Sequence, residues 1–100
     1  MGEGDKDLGE LLMFNFIIAI KDLDVLPSKI VFYNSGILLG KDDSPVSGHL
    51  KELERMGVSL FLCGTCINHY KAGEVIHLGI VSNMFEIAQI MASANNVIKP

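Results

Sequence analysis

Cys63 and Cys66 are the residues of this sequence whose type and spacing best suit chemistry. Gly64 and Thr65 lie between them, a spacing at which two sulfurs can meet across one helical turn, as in dithiol redox motifs. A thiolate is a nucleophile, and it can carry an extra sulfur or selenium atom, as a persulfide or its selenium equivalent. The alternative is a core cysteine at a strand end, which composition alone favours because free cysteine is among the most buried residue types.

A zinc site is another interpretation of the same region, with ligands Cys63, Cys66, His69 and His77. The pattern has one CxxC without a second paired half, and His77 falls inside a predicted strand, so we predict no metal site. His69 is then either a positive neighbour that favours a thiolate or an exposed helix histidine. The motif also differs from that of thioredoxin, because the chain shows no proline in the place of thioredoxin's cis-proline loop. No organic cofactor is expected.

Apolar patterns predict that helices and strands alternate along the chain. Helices are predicted over residues 6–23, 45–56 and 84–91, a short turn or helix over 65–70, and strands over 30–33, 58–62, 75–81 and 96–98. This alternation predicts an α/β fold, specifically a three-layer α/β/α sandwich with a mostly parallel sheet. Because the chain has 100 residues, nearly half of them apolar, we expect a single domain over residues 1–100.

Three segments follow predicted strands at their carboxyl ends, where open parallel sheets bind ligands. The candidate binding residues in these segments are Asn34, Gly36, Gly64, Ser82 and Asn83. Cys63 ends the second of these strands, and the junction to the next helix is expected to expose its sulfur beside free backbone amides. Such a setting lowers the pKa of a thiol.

Charge and hydropathy exclude several classes of function. The formal net charge is −4 and the basic residues are scattered, so no nucleic-acid surface is predicted. The longest apolar stretch, residues 16–20, is far too short to cross a membrane, and no signal peptide precedes it, so we expect a cytoplasmic protein. The sequence also lacks a clustered acid/base pair and a Ser-His-Asp order, which argues against hydrolysis.

The first predicted helix is apolar around nearly its whole circumference, so it must be buried on two sides. One side is expected to contact the sheet and the other a partner subunit, which predicts a homo-oligomer. The chain opens with a loop and this helix, whereas a fold of this class usually opens with a central strand. We therefore expect the first strand to be missing. The preceding Gly2-Glu3-Gly4-Asp5 is interpreted as a flexible lead into the helix rather than an anion cradle.

The order of motifs resembles the DsrE-like (DsrE/DsrF/TusD superfamily) domain, and within it the C-terminal domain of YedF-type proteins. The resemblance rests on Leu8-Gly9, residues 32–36, Cys63-Gly64-Thr65-Cys66 and Ser82-Asn83-Met84, and it covers almost the whole chain. More distantly, residues 62–63 and 78–83 are similar to the sulfur-relay subunit TusD and to DsrE.

This resemblance implies a sulfurtransferase-like protein of sulfur relay or selenium metabolism, in which Cys63 accepts sulfur as a persulfide. It also implies small homo- or hetero-oligomers, and sulfur or selenium donor and acceptor proteins as partners, including TusA-like ones. The sequence departs from the YedF pattern because no TusA-like part precedes the domain. Cys66 is typical of the YedF-like branch, where it would either resolve a persulfide by disulfide formation or be inert.

Two other functions remain open from the sequence. In the first, an oligomeric DsrE-like scaffold binds a partner without catalysis, and its cysteines merely pack. In the second, Cys63 and Cys66 cycle as a dithiol oxidoreductase. The exposure of Cys63 distinguishes these functions. A buried Cys63 favours the scaffold, whereas an exposed Cys63 within disulfide reach of Cys66 favours transfer or redox chemistry.

Overall fold

The computed structural model describes residues 4–100 of the protein. Its elements in chain order are α1 (Lys6–Ile20), β1 (Lys29–Phe32), a 3₁₀ helix (Asn34–Gly40), α2 (Ser47–Arg55), β2 (Ser59–Cys63), α3 (Gly64–His69), β3 (Ile80–Ser82) and α4 (Met84–Ser93). The strands form one parallel sheet in the order β1-β2-β3. The predicted α/β fold with a parallel sheet is confirmed.

Strand β2 lies at the centre of the sheet, since it pairs with β1 on one side and β3 on the other. Leu60 and Leu62 of this strand are fully buried in the main hydrophobic core, to which α1, α2, α3 and the 3₁₀ helix all contribute. Side chains alternate along a strand, so Phe61 and Cys63 face the opposite side of the sheet. The near-continuous apolar run was therefore correctly predicted to be a strand covered on both faces.

Helix α4 packs on that opposite side and makes the third layer. It contacts β2, and its Ile87 is 1% exposed although it is not part of the main core. Its first turn is capped by Asn83, whose Oδ1 accepts a hydrogen bond of 2.9 Å from the N–H of Glu86. This confirms that the helix begins at the predicted place.

Helix α1 is buried on one side only. Ile17 and Ile20 reach the core, and beyond its last residue Lys21 Nζ contacts His49 Nδ1 at 2.8 Å and Glu52 Oε2 at 3.1 Å on α2. The helix begins after Asp5, whose carboxylate accepts the N–H of Leu8 at 2.8 Å. It ends at Ile20, three residues before the predicted end, in a short run of turns. Gly2 and Glu3 of the predicted lead segment lie outside the described residues.

The predicted strand over residues 75–81 was wrong in extent, because only Ile80–Ser82 pairs with β2. Val75 and Ile76 instead meet the loop after the 3₁₀ helix, where the N–H of Asp42 donates to the carbonyl of Val75 at 2.8 Å. Gly79 has φ +72, a left-handed conformation that interrupts an extended chain. A Cβ there would run into Leu62 Cδ1 and lie 3.1 Å from the Leu60 carbonyl oxygen, so the segment turns tightly against the central strand.

The predicted final strand over residues 96–98 was also wrong. This segment has no strand structure, and Val97 and Ile98 are 48% and 73% exposed. A strand requires a hydrogen-bonding neighbour, and within residues 4–100 the sheet consists of β1, β2 and β3 alone. Near the chain end, Lys99 Nζ lies 5.6 Å from the ring centroid of Tyr33.

Two smaller boundaries also differ from the predictions. The helix predicted over residues 45–56 is α2, Ser47–Arg55, because Ser44 accepts the N–H of Val46 in a preceding turn instead of capping the helix. The expected loop after β1 is the 3₁₀ helix. Among the described residues before β1, residues 4–28, the structure has no strand. In the same described part of the chain, no helix has the length and hydropathy that crossing a bilayer would require.

Candidate functional site

Cys63 is the last residue of β2 and the residue immediately before α3. It is a free thiol and is 1% exposed, so the expectation that this junction exposes its sulfur was wrong. Its register partner on β3 is Ser82, which is also buried. Because side chains alternate along β2, that of Cys63 faces away from Leu62, towards the side of the sheet on which α4 packs.

Cys66 lies in α3 and is only partly buried. Its Sγ accepts a hydrogen bond of 3.0 Å from the backbone N–H of Asn34. Asn34 has φ +55, a conformation that asparagine tolerates better than most residues, and it lies two residues after the end of β1. The structure therefore brings together two of the three predicted strand-end segments, with Asn34 contributing its amide.

The pKa of Cys63 is lowered from its ordinary value by competing effects. Burial raises the pKa of this thiol, but hydrogen bonds from the backbone and side chain of Cys66 and from the backbone and hydroxyl of Thr65 together outweigh burial. The predicted low pKa is therefore supported, but its cause includes side chains as well as free amides.

The pKa of Cys66 is raised, first by burial and then by the hydrogen bond and negative charge of Cys63. The amide of Asn34 opposes this shift without cancelling it. The pKa values of the two thiols are thus shifted in opposite directions, that of Cys63 down and that of Cys66 up.

Ser82 and Asn83 lie beside this pair but act mainly on α4. The Ser82 hydroxyl donates to the carboxylate of Glu86, and Asn83 caps the helix through the N–H of the same residue. Glu86 is a residue that the sequence analysis missed, although the Asn83-to-Glu86 spacing is that of a helix-capping motif and could have indicated it. Its carboxylate accepts the hydrogen bond of Ser82, the last residue of β3.

The two predicted glycines have different surroundings. A Cβ on Gly64 would lie 3.1 Å from Val81 Cγ1 and 3.2 Å from the Ser82 carbonyl oxygen, so glycine allows α3 to begin close against β3. A Cβ on Gly36 would meet nothing within 4 Å, and its N–H donates to the carbonyl of Tyr33 at 3.0 Å. Gly64 therefore has a positioning role beside Cys63, and Gly36 belongs to the turn that starts the 3₁₀ helix.

The residues of the zinc interpretation are not assembled around one point. His77 Nδ1 pairs with Asp42 Oδ2 at 2.7 Å, and His69 contacts the Tyr70 ring edge-on at 5.1 Å between centroids. Among residues 4–100, no group of three or more histidine, cysteine and acidic side chains is arranged to hold a metal ion.

Thr65 is the other residue that the sequence analysis left without a role. It is the only hydroxyl within the Cys63–Cys66 motif, and a hydroxyl beside a strand-end thiol is a signal that could have been used. Its position in the first turn of α3 lets both its amide and its side chain lower the pKa of Cys63. The motif thus supplies most of the interactions that tune its own first cysteine.

A parallel sheet whose central strand ends in one free thiol, with a second free thiol in the helix that follows, defines a thiol-bearing α/β domain. The sequence profile of the DsrE/DsrF-like family matches residues 6–100, and the chain belongs to this family. The family is generally related to sulfur relay.

Comparison with solved structures supports the same fold. The structure of a protein of unknown function, MTH1491 from Methanobacterium thermoautotrophicum, superposes with a TM-score of 0.69 and 24% sequence identity. The match covers 98% of this chain and 92% of that chain. No curated protein matches the sequence.

Proposed function

We propose that this protein is a sulfur carrier of the sulfurtransferase type, which holds a sulfane sulfur or selenium atom as a persulfide or its selenium equivalent on Cys63. The observation that carries the proposal is the position of Cys63 at the end of the central strand and directly before α3, where the neighbouring Thr65 and Cys66 lower the pKa of its thiol. Membership of a sulfur-relay family supports it. The whole chain, residues 1–100, would act as one domain.

The net reaction needs no cofactor and no oxidant. The terminal sulfur of a donor persulfide is transferred to the thiolate: a new S–S bond forms on Cys63, the S–S bond of the donor breaks, and the donor leaves as a thiolate. Delivery is the same exchange, in which the thiolate of an acceptor protein attacks the terminal sulfur and Cys63 leaves. Donor and acceptor proteins, including TusA-like ones, are therefore the proposed partners, in the cytoplasm.

The experiment is intact-mass spectrometry after incubation with a persulfide donor, comparing the wild type with Cys63→Ser. We expect the wild type to gain and keep the mass of one sulfur atom, and the variant to lose any adduct when a small thiol is added. If the folded wild type, with both thiols reduced, gains no sulfur, the proposal fails. Repeating the incubation with a selenium donor tests the YedF-like role in selenium metabolism.

A non-catalytic interaction module is the second candidate, and the burial of Cys63 favours it. In that function the cysteine pair only packs, and exposed leucines of α1 bind a partner or a second copy of the chain. A dithiol oxidoreductase is the third, favoured by the interaction of the two thiols across the start of α3. It would show a reversible Cys63–Cys66 disulfide and no sulfur adduct.

A further inference from the structure

The two sulfurs of the thiol pair differ in how easily another molecule can reach them. Cys63 is 1% exposed, whereas Cys66 is partly exposed on α3. A donor carries its persulfide on another molecule, so the first exchange requires an acceptor sulfur that the donor can approach in line with its S–S bond. Cys66 is the more accessible of the two sulfurs, whereas Cys63 in its observed position is closed to a donor.

Cys66 also has a partner suited to sulfur exchange. The backbone N–H of Asn34 lies 3.0 Å from its Sγ and stabilises negative charge there. This sulfur carries negative charge once its proton is removed for attack on a donor, and again when it departs as a leaving group. The same amide therefore assists both acceptance and release of a sulfur atom by Cys66.

We propose that Cys66 meets the sulfur donor and that the sulfane sulfur then passes from Cys66 to Cys63, where it is held away from solvent. This inference rests on the sulfur-carrier function proposed above and assigns its first step to the second cysteine. Cys66 is then a reacting residue, and the Asn34 amide is a positioning and charge-stabilising group for it.

The first step begins with Cys63 as a thiolate and Cys66 as a thiol. The Cys66 sulfur bonds to the terminal sulfur of the donor, the S–S bond of the donor breaks, and the donor leaves as a thiolate. The proton of Cys66 moves to Cys63. The products are a Cys66 persulfide and a Cys63 thiol.

In the second step, the Cys63 sulfur attacks the terminal sulfur of the Cys66 persulfide. The S–S bond on Cys66 breaks, and the proton of Cys63 passes to the departing Cys66 sulfur. The products are a Cys63 persulfide and a Cys66 thiol. Each step exchanges one S–S bond for another, so no oxidant or reductant is consumed.

The test uses glutathione persulfide as the donor and locates the adduct by fragmentation mass spectrometry of the peptide that contains both cysteines. In the wild type, we expect the adduct on Cys66 at early times and on Cys63 later. The Cys66→Ser variant should load at least about tenfold more slowly than the wild type, because the donor must reach a buried sulfur. His69→Gln, on the exposed part of the same helix, is the matched control and should load at the wild-type rate.

The Cys63→Ser variant tests whether the residue that stores the sulfane sulfur differs from the residue that accepts it. It should gain sulfur on Cys66 and lose it to a small thiol at least about tenfold faster than the wild type does, because its adduct stays accessible. Loading of Cys66→Ser at the wild-type rate with the adduct on Cys63 would overturn this inference and leave the sulfur-carrier function intact. Release of hydrosulfide with a Cys63–Cys66 disulfide would also overturn it. Absence of any adduct in all folded variants would instead contradict the sulfur-carrier function itself. The wild-type time course keeps the test decisive if a variant fails to fold.

Discussion

At the scale of single residues, the hydroxyl of Thr65 is the group whose removal most directly tests how Cys63 is tuned. Thr65→Val keeps the backbone amide and the branched shape but removes one hydrogen bond to the sulfur. We expect the pKa of Cys63 to rise, because burial is then opposed by fewer hydrogen bonds. Ultraviolet absorbance of the thiolate as a function of pH measures the change, in a Cys66→Ser background so that a single thiol titrates. Thr65→Ser is the control and should leave the midpoint nearly unchanged.

The same shifts set the sign of the pH dependence of stability. Folding lowers the pKa of Cys63, so this thiol stabilises the folded protein at a pH above the ordinary thiol pKa. That stabilisation is lost as the pH falls through the lowered pKa. Folding raises the pKa of Cys66, so this thiol stabilises the folded protein at a pH below the ordinary thiol pKa. That stabilisation is lost as the pH rises through the raised pKa.

In the Thr65→Val experiment, an unchanged titration midpoint of Cys63 would show that the hydroxyl does not affect the pKa of this thiol.

The sequence predicted part of this site. It identified Cys63 and the amide-bearing segment at Asn34 from their positions after strands, since parallel strands end at a common edge. It could not predict that Cys63 is buried, because burial depends on which way the last residue of β2 faces and on how α4 lies across that face. The first depends on where the alternation of β2 starts and the second on tertiary packing, and the sequence displays neither.

At the scale of elements, the tight turn at Gly79 determines where β3 begins. Gly79→Ala places a Cβ at φ +72 and against Leu62 and the Leu60 carbonyl, so we expect a loss of roughly 1–3 kcal/mol in the free energy of unfolding. Urea denaturation measures it. The matched control is Gly48→Ala in α2, where a Cβ meets nothing within 4 Å and helix propensity predicts a gain of about 0.5–1 kcal/mol. Equal effects of the two substitutions would contradict this explanation of the strand boundary.

Elements with strong local signals were predicted best. Strand β2 and helix α4 are long apolar patterns bounded by clear turn or cap residues, Gly57 and Asn83. The segment over residues 75–81 has an apolar pattern that suits a strand, but half of it contacts the loop near Asp42 instead of the sheet. Its structure is decided by tertiary contacts, which override a short local pattern.

At the scale of the whole molecule, one side of α1 has no cover within the described residues. Leu8, Leu11 and Leu12 are 53%, 55% and 44% exposed, although the helix is apolar nearly all round. The homo-oligomer predicted from the sequence would bury this side. We expect the wild type to sediment as an oligomer and Leu11→Glu to sediment as a monomer with unchanged circular dichroism, because a buried charge without a partner opposes association.

The control for this prediction is Glu10→Gln, which changes an exposed neighbour on the same helix and should leave the sedimentation unchanged. A wild type that sediments as a monomer at all concentrations would rule out self-association through α1. The exposed leucines were predictable from the apolar pattern of the helix, whereas the identity of what covers them depends on a second molecule.

The two outer strands of the sheet, β1 and β3, are short. β1 has four residues and β3 has three, so each presents only a few unpaired backbone groups along its free edge. Long, flat, apolar edges can template the growth of fibrils by pairing with other chains. Although Ile80 and Val81 are exposed, the shortness of their strand limits the ladder that an incoming chain could form. We therefore expect resistance to amyloid formation in spite of the high content of apolar residues.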